Sequence, residues 1–286
     1  MGTPTAPATA IPAAIPATIP TVHPAVSGSN IDWARIRADF PVLQREVHGK
    51  PLVYLDSANT GQKPAAVIDA VDDFYRRHNA NVSRAVHALG SEATEAYEGS
   101  RRKLAKFLNV RPDELVLCSG TTFAINLVAY SWALPRLQAG DAIVVSRMEH
   151  HANIVPWQLV AQRTGATIKV AEIRDNGELD LDALYAQLTP EVKLLAITHV
   201  SNVLGSAAPL AQIAPQIHAV GGLLAVDGCQ AVANMPVNIP ATGADFYAFS
   251  AHKMGALFSG GGLWARAHLL NAMNPIETGG DMIREV

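Results

Sequence analysis

A chain of 286 residues, 49% of them hydrophobic, can bury a substantial core, enough for one large α/β domain or for one and a fragment. A formal charge of -3 leaves no basic footprint, which argues against nucleic acid and anionic membranes as partners. No apolar segment approaches the roughly 20 residues that span a bilayer, the start has no charged n-region before an apolar h-region, and the two cysteines, Cys118 and Cys229, fit a reducing compartment, so a soluble cytoplasmic protein is the default.

From Met1 to about Asn30 the sequence is mostly Ala, Pro, Thr and Ile without a lysine, arginine or acid, and its recurrent prolines exclude a helix. Such a segment buries little and is expected to be a disordered, partly polyproline II tail over residues 1–30; a transit peptide is the competing reading, but those are arginine-rich. The folded part, residues 31–286, is expected to open with a short amphipathic helix over Ile31 to Phe40. A strand over Leu52 to Asp56 follows, then helices over Pro64 to His78 and Ser91 to Leu108, the first with proline in its first turn.

Beyond this point strands and helices alternate. Strands are predicted at Glu114 to Cys118, Ala142 to Ser146, Thr167 to Ala171, Lys193 to Thr198, Leu223 to Asp227 and Asp245 to Ser250. Helices are predicted at Thr122 to Ala133, Ile154 to Gln162, Asp180 to Gln187 and Leu210 to Val220. Alternation of this kind implies an α/β fold, with a mostly parallel sheet covered by helices on both faces.

The strand ends carry the chemistry. Val226-Asp227 and Asp245 to Ser250 each bring a polar group out of an apolar run, so an acid, Asp227, and a lysine, Lys253, are expected to be buried in one crevice at the carboxyl edge of the sheet. That pair suits pyridoxal 5'-phosphate: a lysine for the Schiff base and an acid to keep the pyridinium nitrogen protonated. Taken alone, Lys253 could be a strand-end lysine reaching solvent, and Asp227-Gly228 an ordinary turn. Ser119-Gly120-Thr121-Thr122 opens a predicted helix, where free amides suit a phosphate, although threonine is also a common N-cap. The adjacent His150 and His151 might suggest a metal, but neighbouring positions should point apart and no third ligand is visible, so no metal site is expected. Cys229 and Cys118 are read as small core thiols, and His199 and His218 as structural. A dehydrogenase is discarded because no G-x-G-x-x-G follows a first strand.

With Met148 to Trp157, Thr198 to Gly205, Val226 to Gln230 and Asp245 to Lys253 in this order, the chain from about Ile31 to Val286 resembles the Suf-type cysteine desulfurases, a branch of the class V aminotransferase-like, fold-type I enzymes. The resemblance implies a fold-type I large domain and a smaller C-terminal domain, which this chain is expected to lack. It implies that Lys253 binds the cofactor and shuttles the substrate's α-proton, that His150 stacks on the pyridine face, and that Asp227 holds its nitrogen. Asn202 and Gln230 would lie near the phenolic oxygen, and Thr121, Thr122, Ser250 and His252 around the phosphate, while His87 would belong to an approach loop. It implies L-cysteine as substrate, L-alanine as product, a sulfur-acceptor protein of the Suf system for iron-sulfur cluster assembly, and a homodimer. The cysteine that accepts sulfur and the arginine that clamps the substrate carboxylate have no match here. After Lys253 the family's glycine-proline turn is replaced by Met254 to Gly262, and Asn59 and Phe123 stand where other residues are usual. Two other readings remain: another class V lyase or aminotransferase, and a truncated chain that binds cofactor weakly or serves only as a dimerisation partner.

Overall fold

A computed structural model describes residues 31–83, 86–280 and 282, so the expected tail lies outside the described residues. The chain opens with α1 (Trp33–Ala38) and a small hairpin of β1 (Glu46–Val47) and β2 (Lys50–Pro51). The predicted strand over Leu52 to Asp56 is not formed: beyond the Leu52 N–H, which the Arg45 carbonyl accepts at 2.9 Å, the segment joins no ladder, and Val53 and Leu55 of its apolar alternation are exposed. Next come α2 (Ala65–Asp73), which widens into a π turn over Phe74–His78, and α3 (Ala88–Leu108). Pro64 is the N-cap of α2 rather than a residue of its first turn.

The rest is the alternating pattern: β3 (Leu115–Cys118), α4 (Thr121–Val128), β4 (Ala142–Ser146), α5 (Val155–Thr164), β5 (Thr167–Ala171), α6 (Leu181–Gln187), β6 (Val192–Thr198), α7 (Leu210–Ala219), β7 (Leu223–Asp227), α8 (Cys229–Asn234), α9 (Ile239–Thr242), β8 (Phe246–Ser250), β9 (Gly261–Ala265) and α10 (Ala267–Ala272). Helix α4 ends in a second π turn, Ala129–Ala133. The seven-stranded sheet has the order β3-β9-β8-β7-β6-β4-β5. Only β9 runs against its neighbours. It was not among the predicted strands, because Gly260-Gly261-Gly262 reads as a breaker in sequence.

Each central strand is apolar on both faces, as a sheet covered twice requires. Val144 of β4, Leu195 and Ile197 of β6, and Tyr247 and Phe249 of β8 pack into one cluster with Ile213 and Ile217 of α7 and Leu108 of α3. Their alternating neighbours Ile143, Val145, Leu194, Ala196, Phe246 and Ala248 pack into the other cluster with Ile125 and Val128 of α4 and Trp157 of α5. Leu195 and Trp157 are wholly inaccessible to solvent, and truncating a residue of that kind to alanine costs about 2–5 kcal/mol.

The order places the site. From β4 the chain steps outward to β5, then crosses back to lay β6 on the other side of β4 and continues through β7 and β8. Connections therefore leave in opposite directions between β4 and β6, and such a reversal opens a crevice at the carboxyl ends of the strands. Ser146, Thr198, Asp227 and Ser250 are the last residues of the four parallel strands at that edge.

Candidate active site

At this edge lies a cavity of about 180 Å³, lined by Thr121, Thr122, His150, Asn202, Asp227, Gln230, Ser250, His252 and Lys253, together with Asn59, Ala152, Thr198, Val200 and Cys229. The fold thus brings all nine predicted site residues to one cavity. A wider groove of about 940 Å³ lies between α2 and α3. Several charges there are paired with one another, His78 with Glu92 and Arg102 with Glu95, whereas the smaller cavity holds the convergent set.

Asp227 ends β7 almost fully buried. One carboxylate oxygen accepts the Cys229 N–H at 2.9 Å. Burial raises its pKa, opposed by that hydrogen bond and by the nearby His150 and Lys253. A buried carboxylate in this condition is completed by a cationic donor. Lys253 enters through a 3-10 turn, Ala251–Lys253, and is half-buried rather than buried as expected, because the turn carries it past the end of β8 to the cavity mouth.

The turn holding Lys253 is clamped from the other end of the chain. The His252 carbonyl accepts from the Gly61 N–H at 3.1 Å, Lys63 Nζ at 2.8 Å and Thr60 Oγ1 at 3.2 Å. Desolvation lowers the Lys63 pKa. The His252 ring meets Thr60 Oγ1 at 3.2 Å and stacks on Phe258, with 5.7 Å between centroids. Burial and the charges of Lys253 and Lys63 lower its pKa. Gln230 commits one amide hydrogen to the Ala58 carbonyl at 2.7 Å, leaving its second donor for the cavity.

The anion side is the start of α4. Gly120 precedes it at φ 144° and ψ -177°, a conformation essentially restricted to glycine. Thr121 donates its backbone N–H to Ser250 Oγ at 2.8 Å, and the two hydroxyls also lie 2.8 Å apart. Helix geometry leaves the Thr122 and Phe123 amides without intrahelical partners, and a dipole end with open donors suits a phosphate.

His150 lines the same cavity and is exposed, and its Nδ1 accepts from the Ala152 N–H at 3.1 Å, which leaves the hydrogen of a neutral ring on Nε2. The His150 and His151 rings do not diverge as expected: the bend after β4 folds them to 5.9 Å between centroids. Among the described residues no cluster of three or more His, Cys, Asp or Glu could hold a metal ion. Expected near the approach loop, His87 is found capping α3, with Nδ1 accepting from the Gly90 N–H, and it does not line the cavity; Arg84 and Ala85 lie outside the described residues. Cys118 packs against the second core cluster and is half-buried, since β3 is the edge strand, and Cys229 is buried at the cavity wall. His199 and His218 pair with Tyr247 and Asp245, at 2.7 and 2.8 Å; burial pushes the His199 pKa down to about 4.

Thr60, Lys63 and Glu149 escaped the sequence reading. A signal existed only for Glu149, an acid that follows buried Met148 three residues beyond the end of a wholly buried strand. The described residues fit pyridoxal phosphate through two structural facts: a buried carboxylate in need of a cationic donor, and a helix N-terminus facing the same cavity as an uncommitted lysine.

The aminotransferase class-V family profile matches residues 53–286. A probable cysteine desulfurase of Xylella fastidiosa strain Temecula1 is 65% identical over 255 residues, covering 89% of this chain and 61% of the relative. A cysteine desulfurase of Dickeya dadantii is 51% identical over 253 residues, with 88% and 61% covered. Among solved structures, the Escherichia coli cysteine desulfurase CsdA superposes with a TM-score of 0.80 at 41% identity, and an apo cysteine desulfurase of Thermococcus onnurineus with 0.83 at 33%, each match covering 88% of this chain and 62% of the other. The chain thus spans about three fifths of the length of the curated relatives it matches, and the likeness places its sheet in the fold-type I architecture.

Proposed function

Because this chain belongs to the class-V aminotransferase family, with pyridoxal phosphate as its cofactor, we propose that its site carries out the chemistry of a Suf-type cysteine desulfurase. In this reading it takes sulfur from L-cysteine, leaves L-alanine, and passes the sulfur to an acceptor protein for iron-sulfur cluster assembly, as a cytoplasmic homodimer. The observation that supports it best is the convergence of Lys253, Asp227 and His150 on one cavity at the reversal between β4 and β6.

When bound, the cofactor supplies an electron sink for the bonds at the substrate's α-carbon. Lys253 supplies the amine that holds it, and later moves the α-proton. Asp227 keeps the ring nitrogen protonated: a buried carboxylate whose ionisation is costly alone is favoured by a proton-bearing cation beside it. His150 covers one ring face, Gln230 and Asn202 orient the phenolic oxygen, and Thr121, Thr122, Ser250 and His252 hold the phosphate with the amides that open α4. The clamp from Thr60, Gly61 and Lys63 fixes the backbone ahead of Lys253, so that its amine approaches from one direction.

A second reading is cofactor binding without turnover. The visible absorbance spectrum of the chain with pyridoxal phosphate, before and after L-cysteine, separates the two, with Lys253→Ala as control. A band that requires Lys253 and changes with cysteine supports the desulfurase. A Lys253-dependent band indifferent to cysteine supports binding alone, and no band refutes both.

A further inference from the structure

Glu149 is the residue before His150, and it is 8% exposed. Both of its oxygens accept hydrogen bonds from buried donors. Oε1 accepts from the Thr198 N–H at 2.9 Å and from the Ser146 hydroxyl. Oε2 accepts from Asn153 Nδ2 at 2.7 Å, and Asn153 Oδ1 in turn accepts from Trp157 Nε1 at 2.9 Å. The carboxylate therefore joins the end of β4, the turn after it and the core face of α5 to the end of β6.

That last tie crosses the reversal between β4 and β6. Thr198 is paired in register with Asp227 on β7, and its hydroxyl reaches the Asp227 carbonyl at 3.3 Å. Glu149 thus connects the turn that presents His150 to the strand pair that presents Asp227. Nothing in the packing explains a charged group here, since burial drives its pKa up to about 7 against the pull of all three hydrogen bonds, with Asp227 adding repulsion. Hydrogen bonding does explain it: three donors converge, and only a carboxylate accepts on both oxygens. Glutamine would set an NH2 against the Asn153 NH2, and turning Asn153 over would move the clash to the Trp157 N–H.

We propose that Glu149 is a positioning residue for His150, fixing the offset between the imidazole ring and Asp227 across the crevice so that the ring meets a bound pyridine face. The inference rests on the stacking reading of His150. It is tested on the full chain by the dissociation constant for pyridoxal phosphate, from equilibrium dialysis, for Glu149→Ala, Glu149→Gln, His150→Ala and the double variant Glu149→Ala/His150→Ala. Thermal unfolding of each apoprotein serves as the check on folding.

If Glu149 acts through His150, each alanine variant binds about tenfold more weakly, the size of a lost interaction of ~1.4 kcal/mol. The double variant then binds no more weakly than His150→Ala, because the second change removes nothing that remains. Glu149→Gln, which keeps the Thr198 tie and loses the Asn153 tie, falls between the native chain and Glu149→Ala. If Glu149→Ala does not fold, the cycle with Glu149→Gln carries the same expectation. Losses that multiply in the double variant overturn the positioning role and leave the stacking reading standing, as does native binding by both Glu149 variants. Native binding by His150→Ala overturns the stacking reading and the inference with it, and no binding by the native chain overturns the proposed function as a whole.

Discussion

Gly228 stands between Asp227 and Cys229 at φ -94° and ψ 12°, a conformation open to any residue, so its backbone does not demand glycine. Space does. A Cβ at this position would lie 1.9 Å from Tyr247 Cε1, 2.3 Å from Cζ and 2.5 Å from the hydroxyl oxygen. Tyr247 has no room to retreat: it is wholly buried in β8, and its hydroxyl is held by His199 Nδ1 at 2.7 Å. In Gly228→Ala either the phenol withdraws and leaves that hydrogen bond, or the turn moves and carries Asp227 with it. Overpacking of a fixed core costs ~1–3 kcal/mol and a broken buried hydrogen bond adds ~1–2 kcal/mol, so the substitution should destabilise the chain by about 3 kcal/mol. Urea unfolding followed by tryptophan fluorescence reads this as a lower midpoint at unchanged slope. Adding Tyr247→Leu to Gly228→Ala removes the colliding ring edge and should recover part of the loss. A Gly228→Ala midpoint equal to that of the native chain, or a double variant that is additively worse, would refute the argument.

Three further outcomes follow from the same geometry. The Glu149 carboxyl, ordinarily near 4.5, titrates at about 7 when folded; the folded state therefore holds a proton that the unfolded chain has lost, so stability falls by ~3 kcal/mol as pH rises through this window and levels off above it. Glu149→Gln should flatten that slope in thermal midpoints taken from pH 5 to 8, and an unchanged slope would exclude Glu149 as its source. Ser250→Ala leaves the buried Thr121 N–H without its acceptor, and should cost ~1–3 kcal/mol and weaken pyridoxal phosphate binding measured by dialysis; unchanged stability would mean the amide finds another partner. Lys63→Met keeps an apolar stem near the Phe258 ring, which Lys63 Nζ meets at 5.1 Å, but removes the charged donor to the His252 carbonyl. It should accelerate limited proteolysis within residues 52–63, whereas a native cleavage rate would deny the clamp a role in holding that segment.

Much of the fold could be read in the sequence because the central strands are buried on both faces, and a double burial writes a continuous apolar run. Ala142 to Ser146 and Leu223 to Asp227 form as predicted for that reason, while Thr167 to Ala171 forms as predicted at the sheet edge, where its burial is partial. Leu52 to Asp56 has the same local look without a neighbouring strand, and hydrogen-bonding partners are not written in a segment's own residues. The reverse holds for β9, whose glycines read as a break although the segment is paired on both sides, with β3 and β8. Nor does any residue type announce the π turns that end α2 and α4. In the cavity, Asp227 and Lys253 could be found because each follows an apolar run at a strand end, and His150 through the family resemblance. Lys63 and Thr60 could not, since their part depends on the His252 carbonyl, 189 and 192 residues away.

That distance orders events in time. The segment that clamps the Lys253 turn emerges from the ribosome before any strand of the large sheet, but it has nothing to bind until residue 252 follows. At about 5–20 residues per second the wait is ~10–40 s. Through that interval Thr60, Gly61 and Lys63 lack their shared partner, the His252 carbonyl, and the loop to be closed is among the longest the chain contains, a class of contact that forms late. The site is therefore completed by an early part of the nascent chain, and a cofactor that needs the finished cavity can bind only after residue 253 has been made.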